Sequence, residues 1–328
     1  MAARLAWLAH LKLTQLRCLA ISVGINSSGT KTALTKRLET CLPTSIFATT
    51  RRAEDENLRG NDGKLVDKQD VISFDMGIKN LAYCRLRPTK KGKPTLLCDW
   101  QRLDVFQHGE ETDTSLQSVK QQPAAAPYHP ALYAVAANKI LRPLILANPL
   151  ANIVIERQRF RSMGGKGVLE WTIKVNVLEA MLYAVLEASK EQGLWKGVVR
   201  DVRPGHVSLY WLGQDSNGVN GGANGGRKGG QSKSGKKKET VKLVYDWLGQ
   251  NNELKVAEEG VDPTLHDTVK QYKLSLKGKG RGRASNKLDD LADCVAQGMA
   301  VLKWDENRQT IWNEGEKALE KLENRWNI

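Results

Sequence analysis

Two short runs, Val71-Ile72-Ser73-Phe74-Asp75 and Ile153-Val154-Ile155-Glu156, are almost wholly apolar, and each is closed by a carboxylate. Near-continuous apolar runs of this length are strands buried on both faces, the kind found centrally in a helix-covered sheet. Such a chain is thereby constrained to an α/β architecture with acidic groups at strand exits. A third segment, Lys287-Leu288-Asp289-Asp290-Leu291-Ala292-Asp293, opens a late helix. There Asp290 and Asp293, at i and i+3, project from one face. Asp289 and Asp293, at i and i+4, share a face equally well.

Carboxylates converging from two strand ends and one helix face suit hard divalent cations. Hydrolysis of a phosphodiester needs an activated water in line with a leaving oxygen. Two divalent ions about 3.5–4 Å apart supply both functions. On this reading Asp75 bridges the ions, Glu156 holds one of them, and Asp290 with Asp293 completes the set. Asp289 stays open as an alternative ligand. No histidine lies near any of these carboxylates in the sequence, which favours metal-activated water over a histidine general base.

The rest of the chain supplies the opposite charge. Its 328 residues carry a formal net charge of +14 and a pI near 9.5, which points to a polyanionic partner. No apolar run approaches the roughly 18–20 residues of a spanning helix, so a soluble protein and no membrane partner are expected. The five cysteines, Cys18, Cys41, Cys84, Cys98 and Cys294, are scattered without a CxxC pair. They read as free thiols of a reducing compartment.

Residues 5–42 read as helix, turn, helix, with Leu8, Leu11, Leu16 and Leu19 at roughly helical spacing. Gly24 to Gly29 breaks the pattern, and Ser28 or Thr30 is placed to cap the second helix. The string Gly24-Ile25-x-x-Ser28-Gly29-Thr30-Lys31, followed by Leu34-x-x-Arg37-Leu38, resembles a SAP motif. That resemblance implies DNA-backbone contact near Lys31. The first 38 residues contain no Asp or Glu, a composition that also fits a mitochondrial presequence.

The expected division is a SAP-like module at 1–45, a polar linker at 46–69 and a main domain at 70–328. Within the main domain, strands are expected at 70–76, 80–87, 95–103, 152–156 and 197–202. Helices are expected at 130–147, 169–192, 239–249 and 306–327. The 169–192 helix is apolar on nearly every side, which suits either deep burial or a dimer interface. Residues 213–238, rich in Gly, Asn, Ser and Lys, read as a flexible basic insertion. A second basic loop, 277–287, precedes the acidic pair.

Beside Glu156 stands Arg157-Gln158-Arg159-Phe160-Arg161-Ser162. Arg157, Arg159 and Arg161 are suited to gripping phosphates, and Phe160 to wedging against unstacked bases. Lys79, four residues after Asp75, is a further candidate phosphate contact.

With these residues in place, the chain resembles the fungal mitochondrial Holliday junction resolvases, relatives of the bacterial RuvC-type enzymes. The carriers are Phe74-Asp75-Met76-Gly77-Ile78-Lys79-Asn80, Glu156 to Ser162, Glu170-Trp171-Thr172-Ile173 and Asp289-Asp290-Leu291-Ala292-Asp293. The resemblance implies an RNase H-like mixed five-stranded sheet flanked by helices, and a homodimer acting on four-way junction DNA in mitochondria. It further implies paired symmetric nicks, two Mg²⁺ or Mn²⁺ ions per site and no small-molecule cofactor. It also favours Asp290 over Asp289 as the partner of Asp293. Two alternatives remain: an RNase H-like nuclease on RNA–DNA hybrids or flaps, and a non-catalytic SAP-bearing nucleoid protein.

Overall fold

A computed structural model describes residues 2–47, 69–90, 92–106, 129–157, 169–213, 233–277 and 288–326. Strands β1 (Val71–Asp75), β2 (Leu81–Arg87) and β3 (Thr95–Leu103) form an antiparallel meander. The β1–β2 turn is tight at Gly77, where a Cβ would lie 3.0 Å from the Asn80 carbonyl oxygen. Strands β4 (Asn152–Glu156) and β5 (Val199–Val202) add in parallel on the other side of β1.

The sheet has six strands, in the order β5-β4-β1-β2-β3-β6, one more than the sequence suggested. The extra strand, β6 (Leu254–Val256), pairs in parallel with β3. Three residues carry too little periodicity to be recognised without their partner strand.

Helices α1 (Leu13–Ser22) and α2 (Lys31–Cys41) form the N-terminal hairpin, preceded by a 3-10 segment at Ala2–His10. Thr30 caps α2, its hydroxyl accepting from the Ala33 amide. The remaining helices are α3 (Pro130–Ala147), α4 (Glu170–Glu191), α5 (Pro204–Leu212), α6 (Lys233–Gln250), α7 (Leu265–Lys277), α8 (Leu288–Glu314) and α9 (Lys317–Trp326). The expected helix at 306–327 is in fact two. Gly315, with φ of 62°, ends α8 in the left-handed conformation that glycine adopts without cost. Ile311 therefore belongs to α8, and Leu319 and Leu322 to α9. Helix α6 starts at Lys233, so the end of the segment read as a flexible insertion is helical, while 214–232 lie outside the described residues.

Alternation along the strands splits the core in two. Ile72, Phe74, Ile153, Ile155 and Tyr83 face α3 and α4. Val71, Ala82, Cys84, Leu86, Val154 and Trp100 face α8, α6 and α7. On α4, Val175, Leu178, Leu182 and Leu186 are buried, whereas Trp171 and Ile173 stand exposed. A third cluster joins the hairpin to the end of α8 and to α9 through Leu16, Leu19, Leu34, Leu38, Ile311 and Ala318. The five cysteines are free thiols, three of them buried.

Helix α8 comes unusually close to the sheet at Gly298, where a Cβ would stand 2.7 Å from Leu86 Cδ1 and 3.1 Å from Ser73 Cβ. Trp100 Nε1 donates to the Leu291 carbonyl at 2.9 Å, fixing the first turn of the same helix over β3. These contacts set the height at which the acidic start of α8 meets the strand ends.

Candidate active site

Phe74 pairs with Ile155 across the parallel β1–β4 ladder, so the next residues, Asp75 and Glu156, leave neighbouring strands side by side. Neighbouring strands are about 4.8 Å apart. The Asp75 and Glu156 carboxyls lie within side-chain hydrogen-bonding reach of each other. Glu156 in turn pairs with Val202 of β5. On the other side Asp75 pairs with Ala82, and Ala82 with Arg102. One transverse row of the sheet thus reads Val202, Glu156, Asp75, Ala82, Arg102, all on the α8 face.

Helix α8 brings Asp290 and Asp293 into the field of Asp75 and Glu156. Burial, then the Glu156 hydrogen bond and charge, then Asp293 and Asp290, push the Asp75 carboxyl well above the usual range. Burial is also the largest cause for the other two. Asp290 is pushed up to about 6, with Asp289 adding repulsion and Lys237 and Arg102 opposing it. Asp293 is pushed up to about 7, opposed by Lys237 and raised further by Glu156. The physical meaning is simple: too much negative charge is held in too little water.

Asp289 is held differently. Its Oδ2 accepts from Lys237 Nζ at 2.6 Å, while among the described residues its Oδ1 is buried without a hydrogen-bond partner. Burial works against the Lys237 charge, but the Asp289 hydrogen bond and the charges of Asp289, Asp293 and Asp290 outweigh it and raise its pKa. Lys237 and Arg102 were not singled out from the sequence. Arg102 was findable by counting the meander register from Asp75. Lys237 was hidden inside a Gly/Lys-rich stretch.

The other expected contacts are placed as follows. Lys79 is exposed in the β1–β2 turn, and Lys31 is exposed at the first position of α2. Arg157 follows Glu156 directly, but its Nη1 pairs with Asp201 Oδ2 at 3.2 Å rather than standing open to solvent alone. Arg159, Phe160 and Arg161 lie outside the described residues. In the hairpin, Arg37 donates to the carbonyls of Asn26 and Ser28 and so braces the Gly24–Gly29 loop.

Among the described residues, no three His, Cys, Asp or Glu side chains converge closely enough to form a ready metal cage. The candidate donors Asp75, Glu156, Asp290 and Asp293 are nonetheless all oxygen and mutually repelling. That is the chemistry a hard divalent cation relieves.

The chain also has known relatives. The family model described as Mitochondrial resolvase Ydc2 / RNA splicing MRS1 matches residues 71–311. The chain is 24% identical over 313 residues to "Cruciform cutting endonuclease 1, mitochondrial" of Schizosaccharomyces pombe, covering 90% of this chain and 93% of that protein. With the Saccharomyces cerevisiae protein of the same name it shares 25% identity over 119 residues, 36% of this chain and 31% of that protein. The solved yeast mitochondrial Holliday junction resolvase Ydc2 has the same fold, with a TM-score of 0.56 at 20% identity over 94% of this chain and 98% of that one. A model that spans 71–311 covers well over half of the sequence, and the chain belongs to the mitochondrial resolvase Ydc2 / RNA splicing MRS1 family.

Proposed function

We propose that the chain is a mitochondrial endonuclease that cleaves four-way junction DNA by metal-dependent hydrolysis of phosphodiesters. The observation that carries this reading is the cluster of Asp75, Glu156, Asp290 and Asp293 at one end of the sheet. The family spans a resolvase and a splicing branch. A cluster this costly in charge repulsion favours the nuclease, because plain nucleic-acid binding has no use for it.

Asp75, Glu156, Asp290 and Asp293 would hold two Mg²⁺ ions, with Mn²⁺ able to replace them. When bound, the ions lower the pKa of the attacking water and screen the leaving oxygen. The chain's own part is to hold the carboxylates at fixed height and to balance them. Lys237 engages Asp289, leaving Asp290 and Asp293 for metal. Arg102 faces the same row and is placed to attract a phosphate. The net charge of +14 brings the polyanion to the site.

Symmetric cleavage needs two such sites, and we assign the homodimer contact to α4. Leu169, Trp171 and Ile173 are exposed apolar residues at its start, with no covering element among the described residues. The N-terminal hairpin, through Lys31, would act as an accessory DNA contact.

The deciding experiment maps cuts on all four strands of a synthetic junction in Mg²⁺, beside an RNA–DNA hybrid and a linear duplex. Wild type should nick opposing junction strands, while Asp75→Asn should bind the junction and leave it whole. Preferential cutting of the hybrid would overturn the junction reading, and no cutting of any substrate would overturn the nuclease.

A further inference from the structure

A cleft of about 270 Å³ opens between the N-terminal hairpin, β5 and the middle of α8. It is separate from the carboxylate cluster and is lined by two arginines, Arg200 from β5 and Arg308 from α8. Among the described residues both guanidinium groups are anchored by carbonyl oxygens alone. Arg200 Nε donates to Ile46 O at 2.9 Å. Arg308 Nε and Nη2 donate to Val23 O at 3.2 and 2.9 Å. Among the described residues these bonds leave both Nη groups of Arg200 and Nη1 of Arg308 for a guest.

The nearby carboxylates are committed elsewhere. Asp201, on the rim, is paired with Arg157. Asp305 accepts from Ser45 Oγ at 2.7 Å, the Ile46 amide at 2.6 Å and Gln309 Nε2 at 2.7 Å. Neither arginine has an ion-pair partner among the described residues. Burial holds the Arg308 pKa below its ordinary value, Cys41 and Asp305 oppose that, and the proximity of Arg200 adds to it. Trp304 lines the same cleft. Two like charges facing one cavity, with spare guanidinium donors, describe a seat for an oxyanion.

The cleft also stands in a definite relation to the carboxylate row. Val202 pairs with Glu156, and Arg200 lies two residues earlier on β5, about 7 Å along the strand. We propose that this cleft binds a single phosphate group, and that its physiological occupant is a backbone phosphate of DNA engaged at the neighbouring site. The DNA assignment rests on the nuclease reading, whereas the phosphate seat itself does not.

The test uses the full chain in EDTA, so that metal binding cannot contribute. Inorganic phosphate is titrated against chloride at constant ionic strength, and Tm is followed. Phosphate should raise the wild-type Tm beyond chloride, Arg200→Gln should lose that increment, and Asp201→Asn should enlarge it. Equal effects of phosphate and chloride, or an increment that survives Arg200→Gln, overturn the seat. If Arg200→Gln does not fold, an unchanged increment in Asp201→Asn overturns it instead.

A second arm measures junction affinity of wild type and Arg200→Gln, still without metal, across salt concentrations. A DNA phosphate in the cleft predicts roughly 3–10-fold weaker binding and a salt slope smaller by about one. Unchanged affinity and slope alongside a real phosphate increment mean a free-anion site and overturn the DNA assignment. A wild type that binds no junction at all fails the nuclease reading, and the phosphate titration still stands on its own.

Discussion

Gln297 Nε2 donates to the Phe74 carbonyl at 3.0 Å and to Ser73 Oγ at 3.1 Å, tying α8 to β1 directly beneath the carboxylates. Gln297 is one helical turn after Asp293, and Phe74 immediately precedes Asp75. One buried amide therefore fixes the spacing between Asp293 and Asp75, two of the proposed metal ligands. Gln297→Ala should cost about 1–3 kcal/mol of stability, since Ser73 Oγ loses the Gln297 donor in the core. Junction cleavage should fall by roughly 10–100-fold, because small misplacement at a reacting centre is expensive. Thermal melts and single-turnover cleavage at saturating Mg²⁺ measure the two effects. Wild-type cleavage in a destabilised Gln297→Ala would show that Asp293 needs no such tether.

Lys237 acts on the same cluster from the opposite direction. Its charge lowers the pKa values of Asp290 and Asp293, and it also repels any incoming cation. Lys237→Met should therefore weaken Mg²⁺ activation at low pH, where the more protonated carboxylates compete with metal. Above about pH 8 the same variant should bind Mg²⁺ more tightly, the repelling cation having gone. Mg²⁺ titrations of cleavage at pH 6 and pH 8.5 should thus cross relative to wild type. Parallel curves would place Lys237 outside the working site.

The carboxylates were legible because each is marked by its own local pattern. Asp75 and Glu156 close apolar runs, and Asp290 and Asp293 sit at helical spacing. Arg102 became visible only through register, since its place beside Asp75 depends on two successive strand pairings. Lys237 was obscured for a different reason. The Gly/Lys composition around it speaks for disorder, and only packing of Val241, Val244 and Leu248 into the core reveals the helix. The spacing of Asp289, Asp290 and Asp293 leaves two ligand pairs open, and a tertiary contact from Lys237 is what separates Asp289 from the others. The SAP-like pattern of the hairpin was readable, but its burial against α8 and α9 was not, because no periodicity within 5–42 names its partner.

The raised carboxylates have a consequence for stability. Between the ordinary carboxylate pKa near 4 and the folded values of about 6 for Asp290 and about 7 for Asp293, the folded chain binds more protons than the unfolded one. Their contribution to stability is thus most favourable at acid pH and is lost as pH rises through 6–7. In EDTA, Asp293→Asn should melt higher than wild type at pH 8, with the gap closing towards pH 5. Mg²⁺ should stabilise wild type more at pH 8 than at pH 5, and should lose most of that effect in Asp293→Asn. A gap independent of pH would mean that Asp293 is not held in a protonated form by its surroundings.

Gly24 tests whether the N-terminal hairpin is part of the nuclease core. It adopts φ of +73°, and a Cβ there would overlap the Trp304 ring of α8. The carbonyls around it are also bound: Asn307 donates to Ser22 O, Arg308 to Val23 O, and the His206 ring nitrogen meets Gly24 O at 3.2 Å. Gly193 supplies the control, because its φ is +70° but a Cβ there meets nothing within 4 Å. Gly193→Ala should cost only the left-handed strain, about 1 kcal/mol. Gly24→Ala should cost that and overpacking besides, about 2–4 kcal/mol in all, and should lower the melting of the whole chain in a single transition. Were the hairpin merely tethered, Gly24→Ala would melt it separately and leave the main transition in place. A clean shift of the main transition, larger than that of Gly193→Ala, would mean that removing residues 1–45 strips a wall from the core, so that any loss of DNA binding in such a truncation reports folding before it reports contact.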